Sequence, residues 1–155
     1  MIAILDHIQA LEAYLERAGA RVVRTSLPEC VHGRVFCDVI SLRVGLRPEQ
    51  ELPALVHEVT HWLAHRHARP GPHCTLFEYE AEAVETLVMR RLGLQPAEYD
   101  PFGAGQDSPT DGLLPASVRR VLWASSRICG ALGLESQAPV HFEAAAGKEV
   151  VFENE

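Results

Sequence analysis

The residues best suited to chemistry in this 155-residue chain are His57, Glu58 and His61, within the segment LVHEVTHWLAH at 55–65. Two histidines four positions apart lie on one face of an α-helix, so both imidazoles can reach a single Zn²⁺. The glutamate after the first histidine then projects beside the metal, where it can act as general base on a zinc-activated water. Uncharged residues surround the motif, which favours a buried helix. The pattern therefore predicts a catalytic zinc site.

A catalytic zinc needs a third protein ligand and one open position for water. One candidate is His67, which completes the spacing HExxHxxxxxH of metzincin-type sites. Such sites use a glycine three residues after the second histidine to turn the chain, and this chain has Ala64 there. A helix that continues through Ala64 would point His67 away from the metal. The other interpretation of His67 is a solvated histidine at a helix end, where the helix dipole favours a cation.

The other candidates for the third ligand lie in the acidic stretch FEYEAEAVE at 77–85. Glu78 and Glu82 share one helix face, so one could bind zinc while the other hydrogen-bonds a metal-binding histidine. Like charges at this spacing cost a few tenths of a kcal/mol, which a nearby cation would remove. Glu80 lies roughly 160° away around the helix and is expected to face solvent. We expect Glu78 to be the third ligand and Glu82 to support a ligating histidine.

Composition is that of an ordinary globular protein, with 47% hydrophobic and 23% charged residues, and the length predicts one domain over 1–155. The net charge of −7 makes nucleic acid an unlikely main partner. The acidic N-terminus is not a signal peptide, and no apolar run approaches the roughly 18 residues of a membrane span. The four cysteines form no CxxC pair and are expected to be reduced and mostly buried, with a cytoplasmic location.

Hydrophobic periodicity divides the chain into helices and strands in the order of an α+β fold. Residues 95–114 are expected to form a packed loop, and the tail from about 138 either adds a strand or is flexible. The predicted elements are a helix over 4–18 closed by Gly19, a strand over 21–25, one or two strands within 35–44, a helix from Pro48 that carries the motif and ends before Pro70, an acidic helix over 75–92 closed by Gly93, and a last helix over 118–132.

The motif HExxH-W-L-x-H, followed by E-x-E-A-E-A-V and then L-V-x-R-R-L-G-L, resembles the ImmA/IrrE metallopeptidases and the metallopeptidase domain of ArdC-type antirestriction proteins. The resemblance covers about residues 1–95. It implies a zincin-like domain with a small N-terminal sheet, in which His57 and His61 match the histidine ligands, Glu58 the general base and Glu78 the third ligand. It also implies Zn²⁺ or Mn²⁺ as the metal and a protein or peptide substrate such as a transcriptional regulator. One departure is Glu85, where the family usually has a small residue.

These patterns predict a metal-dependent endopeptidase that hydrolyses a regulatory protein. A strand between 35 and 44 can pair with an extended substrate, and the developing oxyanion needs a donor that Tyr79, Tyr99, His65 or His73 could supply. The alternative is a non-proteolytic regulatory or antirestriction module that binds a protein or DNA partner. Glu58 separates the two hypotheses, because a structural zinc site usually takes four protein ligands and has no need of a general base.

Overall fold

The computed structural model of the protein describes residues 4–67, 74–95 and 115–134. Within these ranges the chain is a mixed α+β arrangement of helices and a small sheet, which confirms the predicted class. The elements follow one another as α1 (Ile4–Arg17), β1 (Arg21–Thr25), β2 (Gly33–Phe36), β3 (Val39–Arg43), α2 (Pro48–Thr60), a π-helical turn (His61–His65), α3 (Cys74–Arg91) and α4 (Pro115–Ala131).

The three strands form one sheet in the order β1-β3-β2, with β3 parallel to β1 and antiparallel to β2. Ile40 and Leu42 of β3 are fully buried and alternate with half-buried neighbours, as expected for a central strand with one face on the core. A tight turn at Cys37, whose φ is 51°, reverses the chain between β2 and β3. Within the described residues, β2 is therefore an edge strand of the sheet.

Helix α2 lies at the centre of the packing, because it contacts the other three helices as well as β2 and β3. Each fully buried leucine or valine contributes about 1.5–3 kcal/mol to stability through the hydrophobic effect. The face of α2 that carries the histidines is consequently held at a fixed position relative to α3 and the sheet. The buried residues that hold it are Leu52, Leu55, Val56 and Val59 of α2, Ile8, Leu11 and Leu15 of α1, Val84, Val88 and Met89 of α3, and Val121, Ala124 and Ile128 of α4.

The predicted helices and strands are confirmed, with ends that differ by up to a few residues. The segment 35–44 contains β3 and the second half of β2, which begins two residues earlier than predicted, at Gly33. The loop predicted over 95–114 and the tail from about 138 lie outside the described residues, apart from Gln95. Cys30 and Cys37 are exposed free thiols and Cys129 is buried, so the expectation of mostly buried cysteines is wrong for the described ones. None of the helices described has the length and apolarity that crossing a membrane requires.

Candidate metal centre

The histidine motif lies at the junction of α2 and the π-helical turn His61–His65. Short π-helical insertions of this kind occur frequently at functional sites. Trp62 in the turn is buried, and its Nε1–H donates a hydrogen bond to Asp38 Oδ1 between β2 and β3 at 2.9 Å. The guanidinium of Arg66 lies over the Trp62 ring, 4.5 Å from its centroid. These contacts tie the C-terminal end of the motif to the sheet.

Three side chains from two helical segments converge on one point. His57 Nε2 lies 3.2 Å from His61 Nε2 and 3.2 Å from Oε2 of Glu78, in the first half of α3. His61 Nε2 lies 3.4 Å from the other oxygen of Glu78. The donor atoms of the three residues all lie within 4.8 Å of one another, so the group could hold a metal ion. The structure thus brings together the two histidines and the glutamate that the sequence singles out.

The outward-facing nitrogen of His57, Nδ1, contacts Glu85 and not Glu82, the glutamate expected from the sequence. Glu85 Oε2 lies 3.5 Å from His57 Nδ1, at the long end of hydrogen-bonding distance. Glu82, one turn earlier on α3, has a buried Oε2 without a hydrogen-bond partner among the described residues. Burial raises the pKa of Glu82 from 4.5 to about 6. The contact that orients His57 in this structure is therefore made by Glu85.

A series of buried polar contacts starts at Nδ1 of His61, the ring nitrogen that faces outward. His61 Nδ1 lies 3.1 Å from His65 Nδ1, and His65 Nε2 lies 2.8 Å from Glu80 Oε2. Arg120 of α4 donates to both oxygens of Glu80, from Nε at 2.9 Å and from Nη2 at 2.5 Å. The His65 ring also stacks on Phe77, with 4.3 Å between ring centroids. Both nitrogens of His65 are thus engaged, which leaves no free donor there for an oxyanion.

Glu80 is only 1% exposed, so the expectation that it faces solvent is wrong. Helical geometry sets the angle between Glu78 and Glu80, but the packing of α4 against α3 covers the side on which Glu80 lies. Burial by itself would raise the pKa of Glu80, but hydrogen bonds from His65 and Arg120 outweigh it and lower that pKa to about 2. The carboxylate is therefore ionised and paired in the interior.

Glu58 lies beside the three donors and is 8% exposed. Burial raises the pKa of Glu58 from 4.5 to about 7, and the charge of nearby His57 offsets part of this rise. Its side chain packs against Gly33 at the start of β2, where an added Cβ would lie 2.6 Å from Glu58 Cγ. A buried carboxylate whose pKa lies near neutrality is well suited to accept and return a proton.

Electrostatics at the convergence point favour a positive charge. Burial by itself would lower the pKa of His57, but contacts with Glu78 and Glu85 outweigh it and raise that pKa from 6.5 to about 10. Hydrogen bonds to His57 and His61 hold the pKa of Glu78 well below its usual range. Two kinds of cation satisfy this arrangement: a proton on His57, or a metal ion shared by all three residues.

His67, the rival for the third position, is exposed and lies just after the π-helical turn. Its Nε2 accepts a hydrogen bond from Arg66 Nε at 3.1 Å. The helix continues past Ala64, as expected, and among the described residues the group that could hold a metal contains Glu78 rather than His67. Two of the residues considered as oxyanion donors, His73 and Tyr99, lie outside the described residues.

The convergence point opens onto a cleft of about 560 Å³. The cleft is lined by residues 34–37, which include most of the edge strand β2, and by His57, Glu58, His61, His65, Arg66 and Glu78. Phe36 of β2 is 79% exposed, and Arg34, two residues before it, is also exposed. Alternate side chains of a strand point the same way, so Arg34 and Phe36 share the solvent-facing side of β2. The cleft therefore joins a group that could hold a metal to a strand edge that has no partner strand among the described residues.

Comparison of the chain with protein-family models, with curated proteins and with solved structures finds no match.

Sequence reasoning did not predict the contacts that four residues make in this centre: Gly33, His65, Glu85 and Arg120. His65 carries a sequence signal, because it follows His61 by the same four residues that separate His61 from His57. Glu85 follows Glu78 by seven residues, which is two helical turns on one face. Gly33 and Arg120 carry no such signal, because each reaches the site from another element, β2 and α4 respectively.

Proposed function

We propose that this protein is a zincin-like, metal-dependent endopeptidase in which His57, His61 and Glu78 hold the metal and Glu58 is the general base. Zinc–nitrogen bonds of about 2.0–2.1 Å at tetrahedral angles separate neighbouring ligand atoms by about 3.3 Å. The distances from His57 Nε2 to His61 Nε2 and to Glu78 Oε2, both 3.2 Å, have that size. His61 Nε2 lies 3.4 Å from the other oxygen of Glu78, so each carboxylate oxygen contacts one histidine. Two imidazoles with one carboxylate suit Zn²⁺, and Mn²⁺ is a second candidate for the same donors.

The observation that carries the proposal is the position of Glu58. It is a buried carboxylate that lines the cleft next to the three donors and is not itself one of them. A structural zinc site takes four protein ligands, whereas a catalytic site takes three and keeps one position open. Three donors with an adjacent buried base favour hydrolysis over a purely structural role.

Each residue of this centre has its own role in the proposed reaction. A bound metal would supply Lewis acidity, which polarises the scissile carbonyl and makes the attacking water more acidic. Glu58 takes the proton from that water and later delivers it to the leaving amine nitrogen. Gly33 leaves the room that the Glu58 side chain occupies. Glu85 and His65 contact the outward-facing nitrogens of the two histidines and so keep the inward-facing ones directed to the metal.

The substrate in this proposal is an extended peptide that lies along β2. An unpaired strand edge can hydrogen-bond a peptide backbone by β-addition, and the side chains beside it set the preference. Phe36 offers an exposed apolar surface at this edge, and Arg34 offers a positive charge. The resemblance to the ImmA/IrrE metallopeptidases supports a cytoplasmic regulatory protein, such as a transcriptional regulator, as the source of that peptide.

Cleavage of a defined peptide mixture by the zinc-loaded protein tests the proposal. The protein is incubated with peptides from a tryptic digest of a bacterial proteome, and new termini are identified by mass spectrometry. We expect new internal cleavages from the parent and a rate about 10²–10⁴-fold lower from Glu58→Gln, because general-base catalysis contributes on that order. Glu58→Gln should still bind one zinc per chain. Equal cleavage by both proteins, or none by the zinc-loaded parent, would contradict the proposal.

A further inference from the structure

A continuous line of polar contacts runs from the metal group into the interior and ends on α4. It joins His61 Nδ1 to His65 Nδ1 at 3.1 Å, His65 Nε2 to Glu80 Oε2 at 2.8 Å, and Glu80 to Arg120 through three hydrogen bonds. Its middle is shielded from solvent, since the side chains of His65 and Glu80 are 5% and 1% exposed. Arg120 also donates to Ser117 Oγ at 3.2 Å, within the same helix.

When both imidazoles are neutral, the chemistry of these groups determines where each hydrogen lies. A carboxylate paired with a guanidinium offers only acceptors, so the hydrogen between Glu80 and His65 is on His65 Nε2. A neutral imidazole with its hydrogen on Nε2 has a lone pair on Nδ1. His65 Nδ1 can then only accept, and the hydrogen of that contact is on His61 Nδ1. His61 consequently has its own lone pair on Nε2, the atom that faces His57 and Glu78.

The opposite placement of the hydrogens would prevent His61 from binding a metal. If His65 carried a hydrogen on Nδ1, it would donate to His61 Nδ1, and the hydrogen of neutral His61 would move to Nε2. That hydrogen would occupy the lone pair that a metal needs. The hydrogen bonds must therefore donate in the direction from His61 to Glu80 if His61 is to bind a metal, apart from any contribution that they make to folding.

We propose that His65, anchored by Glu80 and Arg120, is a positioning residue that fixes His61 in its Nδ1–H tautomer and directs its Nε2 lone pair to the metal. This inference rests on the metal centre of the proposed function, and it does not depend on peptide hydrolysis. It also assigns Arg120 a task at the site although it lies on α4, 59 positions beyond His61.

Two substitutions at one position separate positioning from packing. His65→Phe keeps an aromatic ring on Phe77 but removes both nitrogens. His65→Asn removes the ring and the stack, yet its amide oxygen lies close to the place of Nδ1 and can accept from His61. Glu80 retains Arg120 as a partner in both variants. A purely structural role of His65 would favour His65→Phe, whereas a positioning role favours His65→Asn.

The readouts are zinc affinity, measured by competition with a chromophoric chelator, and the histidine tautomers, measured by long-range ¹H–¹⁵N NMR. In the zinc-loaded parent we expect a neutral His65 with its hydrogen on Nε2. His65→Phe should bind zinc about 10- to 100-fold more weakly, the usual effect of losing a residue that orients a ligand. His65→Asn should remain closer to the parent than His65→Phe.

The results that would contradict the positioning role of His65 are as follows. Unchanged zinc affinity in His65→Phe, or weaker binding in His65→Asn than in His65→Phe, would overturn the positioning role alone. A hydrogen on Nδ1 of His65 in the zinc-loaded parent would overturn it without any variant, even if the variants fail to fold. A parent that binds no zinc would instead remove the metal centre itself, and the positioning role with it.

Discussion

Gly33 and Glu58 are in such close contact that an added Cβ at position 33 would lie 2.6 Å from Glu58 Cγ and 3.0 Å from Oε1. The φ angle of Gly33 lies outside the left-handed region, so this position requires a small residue rather than an unusual backbone conformation. The edge strand that lines the cleft therefore also sets the position of the general base. A change at Gly33 of β2 is therefore expected to move the Glu58 side chain on α2.

We expect Gly33→Ala to lose most of its peptide hydrolysis while it still binds one zinc per chain. The new methyl group would force the Glu58 carboxylate to rotate away from the cleft, and a displacement of about 1 Å at a reacting group can cost about 100-fold in rate. Cleavage rate and bound zinc are measured on the same preparation. Val44→Ala, at an exposed position just after β3, is the control. Hydrolysis at the parent's rate in Gly33→Ala would contradict the expectation.

Elemental analysis of bound metal tests which residue completes the metal group. Glu78→Ala should lose near-stoichiometric zinc, because it removes one of the three donors found among the described residues. His67→Ala should retain the zinc, because His67 is exposed and its Nε2 contacts Arg66. The opposite pattern, with zinc lost from His67→Ala and kept by Glu78→Ala, would move the protein to the three-histidine class of sites.

A matched pair of alanine variants on α3 tests the support of His57. Glu85→Ala should weaken zinc binding about 10- to 100-fold, because it removes the carboxylate that contacts His57 Nδ1. Glu82→Ala should have a smaller effect, since Glu82 lies one turn away and its buried Oε2 has no hydrogen-bond partner among the described residues. Chelator competition at a fixed pH gives both affinities. A larger loss in Glu82→Ala would assign the supporting role to Glu82, as the sequence suggests.

Zinc affinity should depend on pH because metal and proton compete for His57. The raised pKa of His57, about 10, keeps this residue protonated at neutral pH in the metal-free protein. Zinc must displace that proton, so the apparent affinity should rise by up to about tenfold per pH unit between pH 6 and 9. The same shift stabilises the metal-free fold fully below pH 6.5, and this contribution is lost as the pH rises through about 10. An affinity that stays constant over this range would show that His57 holds no such proton.

Local patterns in the sequence gave the helices, the strands and the pairing of His57 with His61. These features depend on residues within about one or two helical turns of each other, where the geometry of the backbone fixes which side chains share a face. The same reasoning indicated Glu78 as the third ligand, because that prediction required only its residue type and the acidic motif in which it lies. It went wrong at Glu80, because a helical period gives the angle between two side chains but not the direction in which either of them faces.

The sequence by itself thus determined the α+β class, the histidine motif on a helix and an acidic helix able to supply a carboxylate. Only the tertiary structure decided that Glu85 contacts His57, that Glu80 lies buried between His65 and Arg120, and that Gly33 leaves room for Glu58. The physical reason is that these contacts join separate elements. Their distances depend on the rotation and packing of α3, α4 and β2 around α2, and the buried side chains of the whole core fix that packing together.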